Sequence, residues 1–496
     1  MKPYQVLVLG TGSHVGKSLV ATALCRILAD RGFRVAPFKA QNMALNSAVT
    51  DEGAEIGRAQ WLQAVAARVR PQARMNPVLL KPVREKGSQV ILLGQPQGVY
   101  STQAYFKFWP KAAKAAQASW ASLAADHDAL VMEGAGSPAE VNLAHRDLAN
   151  LETARFSRAP WILVVDIERG GSFAAIVGTL ALVPAWLRRR CLGVVFNKFR
   201  GDPRLLDSGL RWLKARGITP LGVIPYLPGL VLEEEDSLGL PSSSVGSVPK
   251  KALQIEVIRH RFIANFNDAL ALTRLPGVAL RWANPGAERS RPDLVILPGS
   301  KDTVADLEDL VGSGEAKRLE GWRRQGTWVL GVCGGFQMLG RQVDDPAGLD
   351  SGRRGSRHPG LGWLDLHTRM GPQKVLAGRD LDARTRLGRL PLQGYEIHHG
   401  RTTTGPGVRV EARGPKGEAL LVSSRNGRVW GTYLHGIFDA PEFRDAFLGA
   451  LAKSVGKRYK KGGRSQDQAR EQSLKDWAAH VQIHVDLSFL PRRPAR

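Results

Sequence analysis

The stretch QVLVLGTGSHVGKSLVATALCRILADR, residues 5–31, passes from an uninterrupted apolar run through glycines into a segment of helical spacing. An apolar run of this length reads as a strand buried on both faces. A strand that feeds a helix through a glycine turn opens a parallel α/β sheet. The turn also carries chemistry. Gly10, Thr11 and Gly16 shape a bend whose backbone N–H groups, with the helix start, can cradle phosphate. Lys17 can then reach the outer phosphates, and the Ser18 hydroxyl can bind Mg²⁺. The spacing departs from the standard phosphate loop, because position 11 is Thr and the leading glycine sits one residue early.

Outward from this stretch the alternation continues. FRVAPFK (33–39), ALVMEG (129–134), WILVVDI (161–167), CLGVVFNKF (191–199) and PLGVIPY (220–226) read as further strands separated by helices. Ligands of open parallel sheets collect at the carboxyl ends of the strands. Glu133 stands at such an end and is the candidate carboxylate for a metal ion or an orienting water. Asp166 is similarly placed, and Asn197, followed by Lys198, sits where a side chain could read the edge of a nucleotide base.

At EEEDSLGLPSSSVGSVPKK, residues 233–251, Ser, Pro and Gly replace the hydrophobic periodicity, which marks a domain boundary. The expected division is a nucleotide domain over 1–235, a linker over 236–252, a second α/β domain over 253–451, and a basic tail over 452–496. That tail has eleven Lys/Arg against four Asp/Glu and a short amphipathic piece around LKDWAAHVQIHV.

The 496 residues suit two or three domains. Hydrophobic residues at 43% and charged residues at 23% exclude a disordered or fibrous chain. No run approaches a membrane span, and the N-terminus reads as a strand rather than a leader, so a cytoplasmic location is expected. Three scattered cysteines make neither a disulfide framework nor a zinc ribbon. The net charge of +25 points to a polyanionic partner without choosing among nucleic acid, anionic membrane and a multiply charged small molecule. Between Ala66 and Ala115 nine Lys/Arg stand against one acid, among them Arg68, Arg70, Arg74, Lys81, Arg84 and Lys86. That stretch is either a face for a polycarboxylate or an ordinary solvated basic surface.

The second domain holds its own reactive pattern in TWVLGVCGGFQMLG, residues 327–340. A cysteine between an apolar strand and a glycine-led helix lies on a tight elbow, where the helix start favours a thiolate and the Gly334 N–H can stabilise an oxyanion. Cys333 is therefore the candidate nucleophile. Cys25 is spaced as a core helix residue, and nothing marks Cys191 for chemistry. His435, at the end of the strand in VWGTYLHGIFD (429–439), is the candidate base.

With these motifs in place, the chain resembles the cobyric acid synthases, glutamine-dependent amidating enzymes of cobalamin biosynthesis. The resemblance runs from about Val6 to Phe447. It is carried by GTGSHVGKS, VAPFKAQNMALNSAVT, EIGRAQ, MNPVLLKP, GSQVI, VMEGAGSPAEVNL, RDLAN, DIERGGSFA, GTLAL, NKFRGD, GVIPYLP, LPGSKDTVADL, GVCGGFQMLG, GYEIHHGRT and WGTYLHGIFD. It implies a dethiobiotin-synthetase-like ATP-binding domain followed by a class I glutamine amidotransferase domain. It further implies that Cys333 is the glutaminase nucleophile with His435 as its base, and that Gly299, in LPGS, supplies a second oxyanion N–H.

Class I amidotransferases usually carry an orienting glutamate two residues after the histidine. Here that position is Ile437, so the third member is open, with Asp439 a guess. Asp147 in RDLAN is a candidate for positioning a substrate carboxylate. The implied reaction is amidation of the b, d, e and g carboxylates of adenosylcobyrinic acid a,c-diamide, using ATP, Mg²⁺ and glutamine, with no nucleic acid involved. On this reading the basic surplus faces a corrinoid polycarboxylate.

Two rivals are weighed. A DNA-partitioning P-loop ATPase would suit the charge, yet such proteins carry a second lysine early in the loop, and this chain has only Lys17 there; the Cys333 domain would also go unexplained. The related a,c-diamide synthase shares both domain types, and NMALNSAVT and GYEIHHGRT favour the cobyric acid enzyme.

Overall fold

A computed structural model describes residues 2–83, 87–230, 232 and 251–492. The chain divides into two compact units. One comprises Met1–Ala44, Thr50–Glu233 and Arg470–Arg496, and the other Leu45–Val49 and Glu234–Ala469. The expected linker lies almost wholly outside the described residues, as do Arg84 and Lys86.

The first unit is built on a six-stranded parallel sheet. Its order is Pro220–Pro225, Cys191–Phe199, Trp161–Asp166, Tyr4–Gly10, Ala129–Glu133 and Val35–Phe38. Val6–Leu9 and Ala129–Met132 are fully buried, as apolar strands covered on both faces must be. The register aligns Gly10 with Val164, Glu133 with Val8 and Asp166 with Asn197. One sheet edge thus collects the glycine loop and the polar strand ends. Helix Lys17–Asp30 follows the loop and buries Val20, Leu24, Cys25 and Leu28. Cys25 is core, as its spacing indicated, and burial pushes its thiol pKa up.

The expectation of a separate basic tail is corrected. Gln466–His484 is a helix, and Leu474, Trp477, Ala478 and Val481 pack into the first unit's core. The Trp477 indole donates to the Leu19 carbonyl at 2.8 Å, and Arg26 takes both Glu471 oxygens at 2.8 Å. The reason is amphipathy: the apolar stripe of this helix joins the core that also holds helix Lys17–Asp30, and burying it outweighs the surplus of positive charge.

In the basic stretch Ala66–Ala115 some of the charges have local partners. Lys81 is buried against Glu55, Arg74 meets Asp126 at 2.6 Å, and Arg68 meets Asp30 at 2.6 Å.

The second unit is built on a seven-stranded sheet ordered Val278–Ala283, Leu253–Ile258, Leu294–Leu297, Trp328–Val332, Val429–Thr432, Ala419–Ser424 and Val408–Arg413. The first five strands are parallel and the last two antiparallel. A long hairpin, Leu366–Thr385 with Gly388–Thr404, lies in a separate four-stranded sheet of this unit. Among the described residues, no helix is long and apolar enough to cross a membrane.

Candidate functional sites

In the first unit, the glycine loop is held by side chains from neighbouring strand ends. Gly16 has φ +98°, and a Cβ there would collide with the Asn197 amide, so only glycine fits. Asn197 donates to the Val15 carbonyl at 3.0 Å and is buried. Its amide braces the loop. Lys198 bonds the His14 carbonyl at 2.7 Å and Asp166 at 2.9 Å, a second brace. The Lys17 ammonium rests on the carbonyls of Gly12, at 2.7 Å, and Gly136, at 3.0 Å. It therefore lies across the mouth of the loop that carries Gly10 and Thr11.

Glu133 is the hub of this site. Its carboxylate accepts the Ser18 hydroxyl at 2.7 Å, the Lys39 ammonium at 3.0 Å and the Gln63 amide at 2.6 Å. Burial alone would raise its pKa, but the Lys39 charge and these donors hold it below the ordinary carboxylate range. It stays ionised inside the protein. Ser18 and Glu133 together offer hard oxygen donors at hydrogen-bond spacing, the donor chemistry that suits Mg²⁺. Lys39 and Gln63 went unassigned in the sequence, although Lys39 lies in a motif that carried the resemblance, VAPFKAQNMALNSAVT, and Gln63 stands three residues after another, EIGRAQ.

Asp147 caps the turn that follows, accepting the Asn150 N–H at 2.8 Å, and burial raises its pKa. Asn150 in turn clamps Ala135, with its amide donating to the carbonyl at 2.7 Å and its oxygen accepting the N–H at 3.1 Å. Asp147 thus shapes the loop after Glu133.

In the second unit, Cys333 sits between strand Trp328–Val332 and helix Gly334–Met338 with φ 51° and ψ −102°. A non-glycine residue holds such a conformation only when its surroundings enforce it, and it is a mark of nucleophile elbows. The glycines behind it are required by close approach: a Cβ at Gly335 would collide with the Leu297 carbonyl, and one at Gly334 would lie 2.7 Å from the Ser300 N. The LPGS loop is therefore packed against the elbow. A Cβ on Gly299 would lie 3.1 Å from Cε1 of His435, so Gly299, Gly334 and His435 converge as expected.

His435 is buried, and its Nδ1 lies 2.7 Å from Asp268, which also accepts the Gly436 N–H at 2.8 Å. The tautomer follows: Nδ1–H donates to the carboxylate, leaving Nε2 for proton transfer. Burial pushes the imidazole pKa down, but Asp268 and Cys333 outweigh it and raise the value to about 10. Tyr395 stacks on the ring at 5.2 Å, and the two residues exchange backbone hydrogen bonds. The guess of Asp439 is corrected, since its backbone turns back on Gly436 and Asp268 meets the imidazole. Ile437 is core. Asp268 precedes the histidine by 167 positions, on the turn Phe266–Leu272, and no local pattern marks it.

Comparison with known proteins gives the families of the two stretches. Residues 6–238 match the CobQ/CobB/MinD/ParA nucleotide binding domain, and residues 254–443 the CobB/CobQ-like glutamine amidotransferase domain. A solved structure described as a glutamine amidotransferase aligns at 17% identity over 41% of this chain and 98% of its own, with a TM-score of 0.31. The two family matches, a nucleotide binding domain and a glutamine amidotransferase domain, make the chain a nucleotide-binding amidating ligase that takes its nitrogen from glutamine.

Its relatives narrow this. It is 45% identical to the cobyric acid synthase of Nostoc sp. (strain PCC 7120 / SAG 25.82 / UTEX 2576) over 98% of this chain and 99% of that one. To the cobyric acid synthase of Gloeobacter violaceus it is 46% identical over 91% and 90%. The chain belongs to the cobyric acid synthase family.

Proposed function

We propose that this protein converts the b, d, e and g carboxylates of adenosylcobyrinic acid a,c-diamide to amides, with one ATP and one glutamine consumed for each. The observation that carries the glutamine step is the buried Cys333 elbow beside a His435 already hydrogen-bonded to Asp268. Cys333 Sγ attacks the side-chain amide carbon of glutamine as its proton passes to Nε2 of His435. The Gly334 and Gly299 backbone N–H groups face the developing oxyanion. His435 returns the proton to the leaving nitrogen, ammonia departs, and water hydrolyses the thioester to glutamate. Asp268 holds the ring and balances its charge in between.

In the nucleotide unit, Ser18 and Glu133 are the residues that would hold Mg²⁺, which when bound neutralises phosphate charge. Lys17 and the loop amides carry the rest of that charge. A carboxylate is a poor electrophile, so its oxygen first takes the γ-phosphoryl group of ATP. The resulting acyl phosphate loses inorganic phosphate when ammonia attacks its carbonyl carbon. Lys39, fixed on Glu133, keeps that carboxylate charged and in place.

The reading is tested by incubating the a,c-diamide with ATP, Mg²⁺, glutamine and the protein and following the corrinoid by mass spectrometry. Four successive amidations are expected. A product that stops short of four, or no mass change, overturns it.

A further inference from the structure

The glutaminase unit contains five residues from far outside its own stretch of sequence, Leu45–Val49. Within the unit, Asn46 and Ser47 are fully buried. The Asn265 N–H donates to the Asn46 side-chain oxygen at 2.8 Å, and the Ser47 N–H donates to the Asn265 side-chain oxygen at 3.0 Å. This reciprocal pair fixes Asn265 in a left-handed conformation, φ 52° and ψ 40°, which asparagine adopts more readily than most residues. Its amide nitrogen is thereby set 3.5 Å from Nε2 of His435. The Tyr395 ring stacks on the imidazole, and its hydroxyl donates to the Ser47 carbonyl at 3.4 Å. The same short segment grips both neighbours of the histidine.

An amide N–H can donate to Nε2 only while that nitrogen is unprotonated. Glutamine cleavage needs the opposite state, in which Nε2 has taken the Cys333 proton and its own N–H would point at the Asn265 donor. Asn265 therefore favours the thiol with neutral imidazole, whereas Asp268 favours the imidazolium.

We propose that Leu45–Val49 is a latch on the glutaminase centre: Asn46 and Ser47 hold Asn265 against His435 and keep Cys333 a thiol until the segment moves. The proposal rests on the assignment of Cys333 and His435 to glutamine hydrolysis. Release is a proton transfer from sulfur to Nε2 and involves no redox change. In sequence the segment is continuous, through Ala44 and strand Gln41–Met43, with Lys39, the residue bonded to Glu133.

The test uses the full-length protein with neither ATP nor corrinoid, and Cys333→Ala as the blank. Glutamine hydrolysis and iodoacetamide alkylation of Cys333 are measured for wild type, Asn46→Ala and Asn46→Asp. Loss of the acceptor in Asn46→Ala should speed both by about fivefold or more, the worth of one hydrogen bond. With all substrates present, it should also lower the amides formed per glutamine consumed. Asn46→Asp, which keeps an acceptor oxygen, should return these values toward wild type.

A folded Asn46→Ala protein that is no faster than wild type overturns the latch. If that variant does not fold, Asn265→Asp replaces it, because it keeps the oxygen that accepts the Ser47 N–H and removes the N–H facing Nε2. It must show the same acceleration, and its failure to do so overturns the proposal equally. Absence of Cys333-dependent hydrolysis in every variant, with and without substrates, would instead sink the glutaminase assignment itself.

Discussion

Asp268 determines what His435 can do. An asparagine there would present an N–H donor as readily as an oxygen to Nδ1, and the tautomer that leaves Nε2 free for the thiol proton would lose its anchor. Asp268→Asn is expected to lower kcat for glutamine hydrolysis by about 10²–10⁴-fold with KM little changed, while ammonia-driven synthesis continues. The groups facing the imidazole are Asp268, Cys333, Tyr395 and Asn265. Once Cys333 has given up its proton, its charge and Asp268 raise the imidazole pKa to about 10, so the imidazolium of the reacting pair survives above neutrality and is lost as pH rises through that value. Glutamine hydrolysis should hold through neutral pH and fall on the alkaline side near pH 10. In Asp268→Asn that fall should move to lower pH, and a pH–rate profile unchanged by the substitution would contradict the role given to Asp268.

Among the elements, the elbow and the phosphate loop were legible in the sequence, and the last helix was not. A strand, a turn and a helix start are contiguous, so Gly10–Ser18 and Val332–Gly335 announce themselves in a window of a few residues. Gln466–His484 has only its own amphipathic spacing to read, and its place in the fold depends on a partner more than four hundred residues earlier, Leu19. Trp477 is its anchor, buried and hydrogen-bonded through its indole. Trp477→Ala should cost about 3–5 kcal/mol and lower the unfolding midpoint of the full chain, measured by denaturant titration. An unchanged midpoint would mean that the helix is dispensable to the first unit.

At the level of the whole molecule, two chemistries are divided between two units, and single substitutions should separate them. Cys333→Ala is expected to abolish glutamine-dependent amidation and leave amidation by free ammonia intact. Lys17→Ala should abolish synthesis from either nitrogen source, since the acyl phosphate never forms, yet Cys333-dependent glutamine hydrolysis should remain detectable. Assays with the two nitrogen donors in parallel, with glutamate release measured alongside, check both. Glutamine-dependent synthesis surviving in Cys333→Ala would refute the nucleophile.

The sequence by itself determined the two α/β units, the phosphate loop, the cysteine elbow and the family, because each is written in contiguous residues whose periodicity and turns act locally. The tertiary structure alone decided which carboxylate meets His435, that Lys39 and Gln63 surround Glu133, that Leu474, Trp477, Ala478 and Val481 of the last helix belong to the first unit's core, and that Asn46 reaches His435 through Asn265. These are meetings of residues distant along the chain, and only packing and buried hydrogen bonding specify them. The net charge of +25 shows the same division: composition recorded the surplus, and the fold showed that Arg74 and Lys81 of the basic stretch are paired within the protein.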